Sequence, residues 1–245
     1  MTYPRYVILF RPTFLLGVKH VKSRRAEYAE LTRAALLDAA APAFAERGFA
    51  ATSVTEIAAS ARVTKGAVYH HFPDKQSLFE AVVHEYDEAA QQKVYDAVAK
   101  HPDSPWDAAM AALEATLDVC SDPVAGRLIY VEGPVGLGWR RWRECEDHYT
   151  YRNARLMLQS LIDAGIYRDD IPIDAMAQLV TGIVTHAGIT LAEASPRNRK
   201  RIRRELQTAI QHLMDGLTRA RNSEKTASPP NRVQGGPASQ SGDDA

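Results

Sequence analysis

Apolar residues recur at steps of three and four along almost the whole chain, and no stretch keeps the strict alternation of a half-buried strand for long. The pattern predicts an all-α protein. A first helix over about residues 28–47 places Leu36, Leu37, Ala40, Ala41 and Phe44 on one face. Gly48 follows where a helix end favours positive φ, and Phe49 is placed to fold back on that face. Ser53, with Glu56 three residues on, forms a capping box that starts a second helix running to about residue 61. Thr64 caps a third, from Lys65 to about Phe72, and Pro73 ends it. Two helices of roughly two turns joined by Arg62, Val63 and Thr64 match a helix-turn-helix, with Ile57, Ala61, Val63 and Val68 at their mutual contact. A longer helix is expected from residue 74 to about 100, through Leu78, Phe79, Val82, Val83 and Tyr86. Further helices are expected near 106–120, 124–132, 139–164, 173–194 and 197–218. Turn signals at Asp122-Pro123, Gly133-Pro134, Gly165, Pro172 and Pro196 separate them.

Composition divides the chain into four regions. Residues 1–26 hold six Lys and Arg and no acid, and read as a disordered basic arm or as a segment ahead of the true start. Residues 27–75 form the helix-turn-helix domain and 76–220 a larger helical domain. Residues 221–245, rich in Pro, Gly and Ser, bury too little apolar area to fold. The 245 residues are 45% hydrophobic and 24% charged, ordinary for a soluble globular protein. Their net charge of zero conceals an asymmetry. Residues 1–75 carry eleven Lys and Arg against six acids, so the first region is +5 and the remainder −5. A basic head on an acidic body suits polyanion binding at one end.

Cys120 and Cys145 stand outside any CxxC or Cys/His ligand spacing, so neither a disulfide framework nor a zinc site is indicated, and a cytoplasmic home is expected. Adjacent His70 and His71 point about 100° apart on a helix with no third ligand near, so no metal is expected. The apolar run 7–18 is interrupted by Arg11 and Pro12 and is too short to span a bilayer.

The third helix carries the chemistry. It is short enough for a major groove, and Lys65 and Tyr69 project four residues apart on one face. Gly66 and Ala67 keep its start slim after Thr64, so backbone N–H groups can approach DNA. Thr52, Ser53, Thr55, Tyr69, His70, His71 and Lys75 complete the set of expected DNA contacts. This is a docking surface and not a catalytic one.

The strings TSVTEIA and GAVYHHFPDKQSLF resemble the DNA-binding domain of the TetR family of bacterial regulators, over about residues 31–85. The resemblance implies that Tyr69 touches backbone or base, that His71 and Lys75 contact phosphate, and that Lys65, Gly66 and Ala67 read the operator. One departure is Arg62, at a turn position often taken by Gly; a left-handed conformation there costs on the order of 1 kcal/mol. EGPVGLGWRRWRE and AGIYRDDIPIDAMAQLVTGI are similar, more loosely, to the effector-binding half of family members.

In the last two long helices Met176, Leu179, Val180, Ile183, Val184 and Ala187, then Ile202, Leu206, Ile210, Leu213 and Leu217, form broad apolar stripes. They fit the chain's own core, and the resemblance implies instead a homodimer, hence a palindromic operator. Met110, Leu113, Leu117, Tyr130, Trp139, Trp142, Tyr149, Thr181, Thr185 and His186 are the expected lining of an apolar effector pocket with a few polar anchors, although each also fits plain core. The expectation is a repressor released from DNA by a small molecule, with no cofactor and no membrane partner. A helical enzyme finds no support, because the chain has no Gly-rich phosphate loop, nucleophile elbow or HExxH. A nonspecific architectural DNA binder would suit the basic arm, but the large acidic body argues against it.

Overall fold

The computed structural model describes residues 24–218, which are helical with no strand among them. The expected basic arm, apart from residues 24–26, and the tail 221–245 lie outside the described residues. In chain order the helices are α1 (Arg24–Ala51), α2 (Val54–Ser60), α3 (Lys65–His71), α4 (Lys75–Val98) and α5 (Pro105–Ser121). Helix α6 covers residues 127–137, π-helical over Arg127–Glu132 and α-helical over Gly133–Leu137. Helix α7 covers residues 139–163, with a π-helical turn over Asp147–Tyr151. Helices α8 (Ile173–Glu193) and α9 (Pro196–Asp215) complete the fold.

Two segments differ from the expected pattern. Helix α1 already includes residues 24–26, because Arg and Ala extend a nucleated helix at little cost. At its other end Gly48 leaves helical geometry at φ 83°, as the glycine suggested. The Gly133-Pro134 pair does not make a turn. The helix runs through it: the π-helical turn passes into an α segment with Pro134 in its first turn, and the carbonyl of Ile129 in the turn before takes its hydrogen bond from Trp142 Nε1. Gly133 is needed for contact: a Cβ there would lie 2.9 Å from Cδ1 of Trp142. The break falls instead at Gly138, whose φ of 77° separates α6 from α7.

Three apolar clusters hold the helices together. Around Leu36, Leu37, Ala40 and Phe44 of α1, the first gathers Ile57 of α2, Val68 of α3 and Leu78, Phe79, Val82 and Val83 of α4. It continues into Leu128, Leu137 and Trp142, so the helix-turn-helix head and the body share one core. A second cluster joins α5, α6 and α8 through Leu117, Cys120, Tyr130 and Leu191. A third joins α5, α7 and α8 through Ala109, Leu158, Leu161 and Ala177, with Tyr167 from the connection between α7 and α8. The Phe44 and Phe79 rings meet edge-on at 5.0 Å, and Phe49 folds back to 5.0 Å from Phe79. Burial of these side chains supplies about 1.5–3 kcal/mol each, the main force fixing the angle between α1 and α4.

Candidate DNA interface and effector region

Reciprocal hydrogen bonds start α2: Glu56 N donates to Ser53 Oγ at 3.2 Å and Ser53 N to Glu56 Oε2 at 3.0 Å. The Ser53 N–H and hydroxyl, both donated to Oε2, with Arg47 at 2.8 Å, hold the Glu56 carboxyl below its ordinary pKa. Val63 N donates to Ala58 O at 2.9 Å, a closure that places Arg62 at φ 55°. The left-handed conformation anticipated for Arg62 is therefore present. Thr64 Oγ1 then accepts from Ala67 N at 3.2 Å and opens α3. Ile57, Val68 and Phe72 face inward, leaving the other side of α3 to solvent.

That outer side carries Thr64, Lys65, Gly66, Tyr69 and His70, all exposed, with Ser53 and Thr55 exposed on the adjoining helix. Tyr69 is 45% exposed and the Lys65 ammonium lies 5.9 Å from its ring centre. A tyrosine this open contributes little to the core and presents its hydroxyl outward. Ala67 and His71 are half-buried. Burial, then the neighbouring His70 and Arg33 charges, pulls the His71 pKa down, so near neutral pH the ring is mostly uncharged.

Two expected phosphate contacts do not join this surface. Thr52 is buried, and its hydroxyl is directed at Gly48 O (2.9 Å) and Ala43 O (3.0 Å) inside the head. Lys75 Nζ donates to Phe49 O at 2.8 Å, Thr52 O at 3.1 Å and Ala50 O at 3.3 Å, and lies 4.4 Å from the Phe49 ring centre. An ammonium has three N–H donors, and all three are committed to the junction between α1 and α2. Lys75 is thus a clamp within the head, and the sequence pattern could not separate this role from a phosphate contact.

On its body side the same junction is held by α6. Phe49 N donates to Glu132 Oε2 at 2.8 Å, Arg127 Nε donates to Ala45 O at 2.7 Å, and Arg127 Nη2 reaches Glu132 Oε1 at 3.3 Å. Glu132 is 8% exposed, so its charge is compensated by these donors and not by water. On the far side Trp142 Nε1 donates to Ile129 O at 2.9 Å. Sequence reasoning missed Arg127 and Glu132. Their spacing of five matches neither a helical ion pair nor a capping signal, and only the π-helical turn lets the two side chains meet.

The ten residues expected to line an effector pocket do not form one group. Leu113, Leu117 and Tyr130 pack in the second cluster, and Met110 lies against the third. Trp142 belongs to the core shared with the head, whereas Trp139 is 64% exposed and His186 is also exposed. Trp139 and His186 therefore stand apart from the buried residues with which they were expected to line a pocket, whereas Trp142 takes the core alternative. The Trp142 indole is fixed by its bond to Ile129, and the adjacent Gly138 turns Trp139 outward. Thr181 donates to Ala177 O within α8. Thr185 donates to Oε1 of Glu146, a buried carboxylate the sequence reading passed over, and Tyr149 sits half-buried on the π-helical turn that follows it.

A helix-turn-helix with an open recognition face, fused through a long helix to an all-helical body, defines the class of one-component bacterial regulators. The profile described as "Bacterial regulatory proteins, tetR family" matches residues 36–82, and "Tetracyclin repressor-like, C-terminal domain" matches residues 106–217. The chain belongs to the TetR family. It is 46% identical over 63 residues to the HTH-type transcriptional repressor BepR of Brucella suis, a match covering 26% of this chain and 30% of that relative. A longer match, 26% identical over 168 residues, covers 69% of this chain and 84% of the transposon Tn10 TetC protein of Escherichia coli. The crystal structure of a TetR-family transcriptional regulator from Pectobacterium atrosepticum superposes with a TM-score of 0.66 at 27% identity, covering 80% of this chain and 98% of that one.

Proposed function

We propose that this protein is a homodimeric repressor, acting in the cytoplasm, that binds a palindromic operator through α3 and is released by a small-molecule effector bound in the body. The open α3 face with Lys65 and Tyr69, carried by a head bonded to the body through Glu132 and Arg127, is the observation that carries this reading. Thr55, Thr64, Gly66 and His70 share that face, with Ser53 and the half-buried Ala67 and His71 at its border. Groove binding needs such a slim, donor-rich helix, and effector control needs a head that cannot move independently of the body.

Helices α8 and α9 supply the dimer surface. Leu179 is 62% and Leu213 59% exposed, and open space surrounds the position of a Cβ at Gly182. Helix α8 is long and apolar enough to cross a membrane by length and composition, yet only a third of its most apolar window is buried in one chain. A second copy packed on α8 and α9 accounts for that apolar face and places two α3 helices on one side of DNA. The ligand-free dimer fits successive major grooves, and effector shifts the population toward a different head separation by its higher affinity for that state.

Fluorescence anisotropy on the intergenic DNA beside its own gene, against random DNA over a salt series, tests the reading, with sedimentation fixing the oligomer. Sequence-preferring binding by a dimer supports it. Equal weak binding to both DNAs, or a monomer on DNA, overturns it.

A further inference from the structure

The four methionines of the described residues all pack on the third apolar cluster, one from each of four helices: Met110 of α5, Met157 of α7, Met176 of α8 and Met214 of α9. Tyr167 is delivered into the same cluster by the connection after α7. Gly165, at φ 69°, ends that helix, and Tyr167 N donates back to Leu161 O at 3.1 Å. A backbone bridge pairs Tyr167 with Thr218 beyond α9, and the Trp106 ring meets the phenol ring edge-on at 6.4 Å.

Tyr167 is 1% exposed, and its hydroxyl has no hydrogen-bond partner among the described residues. Arg203 Nε is likewise buried without a partner, but the same guanidinium is bonded to Asp118 at 2.6 Å and to Gln207 at 3.0 Å. The phenol has no second polar atom to compensate it. A phenylalanine would fill the place with the same ring, whereas the hydroxyl costs the free protein a hydrogen bond given up to water. A group that is a liability to the free protein suits one that meets a ligand atom there.

We propose that the effector is a neutral apolar molecule bearing a hydrogen-bond acceptor, received in the third cluster with its acceptor on Tyr167 Oη and its apolar part among Met110, Met157, Met176 and Met214. The inference rests on the effector-responsive reading and adds to it the place and chemical class of the ligand.

Burial, then the charge of Asp215, pushes the Tyr167 pKa up to about 12, so the group stays a phenol and offers an O–H. The buried residues beside it, Ala109, Leu158, Leu161 and Ala177, are apolar. An ionised ligand would shed its hydration with no opposite charge in the cluster, and a neutral one loses little. Methionine is unbranched, with three rotatable bonds and a polarisable sulfur, so a cluster lined by four of them repacks around an inserted molecule. The four methionines and Trp106 are each half-buried, so the cluster reaches the surface. Because α8 and α9 also carry the dimer surface, a molecule seated between them and α5 and α7 acts on the spacing of the two heads.

The test uses the full-length protein labelled with [13C-methyl]methionine and three probes: 4-phenyl-2-butanone, butylbenzene, which is the same skeleton without the oxygen, and 4-phenylbutyrate. The ketone should shift the methyl signals of the four methionines and bind about three- to ten-fold tighter than butylbenzene, and the acid should shift none. Tyr167→Phe should bind ketone and hydrocarbon equally and melt no lower than wild type. Unmoved methyl signals with ketone, equal wild-type affinities, tight binding of the acid or a Phe variant that keeps the preference would each overturn the proposal. A Phe variant that melts lower would also overturn it, because the hydroxyl would then have a partner in the free protein. The wild-type comparison of ketone with butylbenzene decides the question even if the variant fails to fold. Operator binding without probe is read separately, so failure of the regulator reading appears there. In a protein that binds operator, saturating ketone should lower that affinity, and an unchanged affinity would overturn the assignment of this site to the effector.

Discussion

The carboxylate of Glu132, on the π-helical turn of α6, accepts the backbone N–H of Phe49 at 2.8 Å, across 83 residues of sequence. With Arg127 it fastens the end of α1 to the body. Glu132→Ala strands the Phe49 N–H and the Arg127 guanidinium and should cost about 1–3 kcal/mol. Glu132→Gln, which retains an acceptor, should cost less. The denaturant midpoint measures both, and an Ala variant as stable as wild type would show that the contact contributes nothing. A stable Gln variant should still bind operator but respond less to effector, because the head is held by a weaker bond.

Lys65 and Lys75 are both basic and both close to the recognition helix, yet they should behave oppositely. Lys65→Ala is expected to lower operator affinity, to reduce the salt slope by about one and to leave the melting temperature unchanged. Lys75→Ala removes a donor to three carbonyls and should lower the melting temperature, with any loss of affinity following from the unfolded head. Melting curves beside anisotropy titrations separate the two. A Lys75 variant that melts like wild type but binds DNA weakly would restore the phosphate role.

Arg62 adopts φ 55°, a conformation that costs a side-chain-bearing residue about 1 kcal/mol. Arg62→Gly should therefore raise stability by roughly 0.5–1 kcal/mol, less the extra entropy of an unfolded glycine. If operator affinity falls in the same variant, the exposed Arg62 side chain contributes to DNA binding that glycine cannot supply.

Stability should also depend on pH through Asp87. Its folded-state pKa, about 7, lies above the ordinary 3.8, so the protonated form is favoured by folding. This contribution is fully present below the unfolded value and is lost as pH rises through about 7. Glu146, also raised, acts with the same sign. His71, lowered from 6.5, acts oppositely and loses stability on the acid side. Between about pH 5 and 7 the midpoint of the wild-type protein should fall relative to that of Asp87→Asn, a comparison in which the opposite His71 contribution cancels. A difference between the two proteins that stays constant over this interval would contradict the raised pKa of this half-buried carboxyl.

The head was legible in the sequence because its signals are local. Ser53 with Glu56, Thr64 before Lys65 and Gly48 after the first helix act within four residues, and the structure places each cap where the spacing put it. The all-α class followed equally from the period of the apolar residues. Which polar residues face DNA was only half legible. Lys65 and Tyr69 point outward by helical geometry, but the direction taken by Lys75 depended on carbonyls more than twenty residues away. The effector region was least legible. Trp139 and Trp142 share one helix and one residue type, yet one is exposed and the other lies in the core shared with the head. The pair Arg127–Glu132 carries no local mark of its role. Capping and helical period are short-range energies written into neighbouring residues. The capture of a backbone N–H by a distant glutamate exists only once the helices have packed and water has been excluded between them.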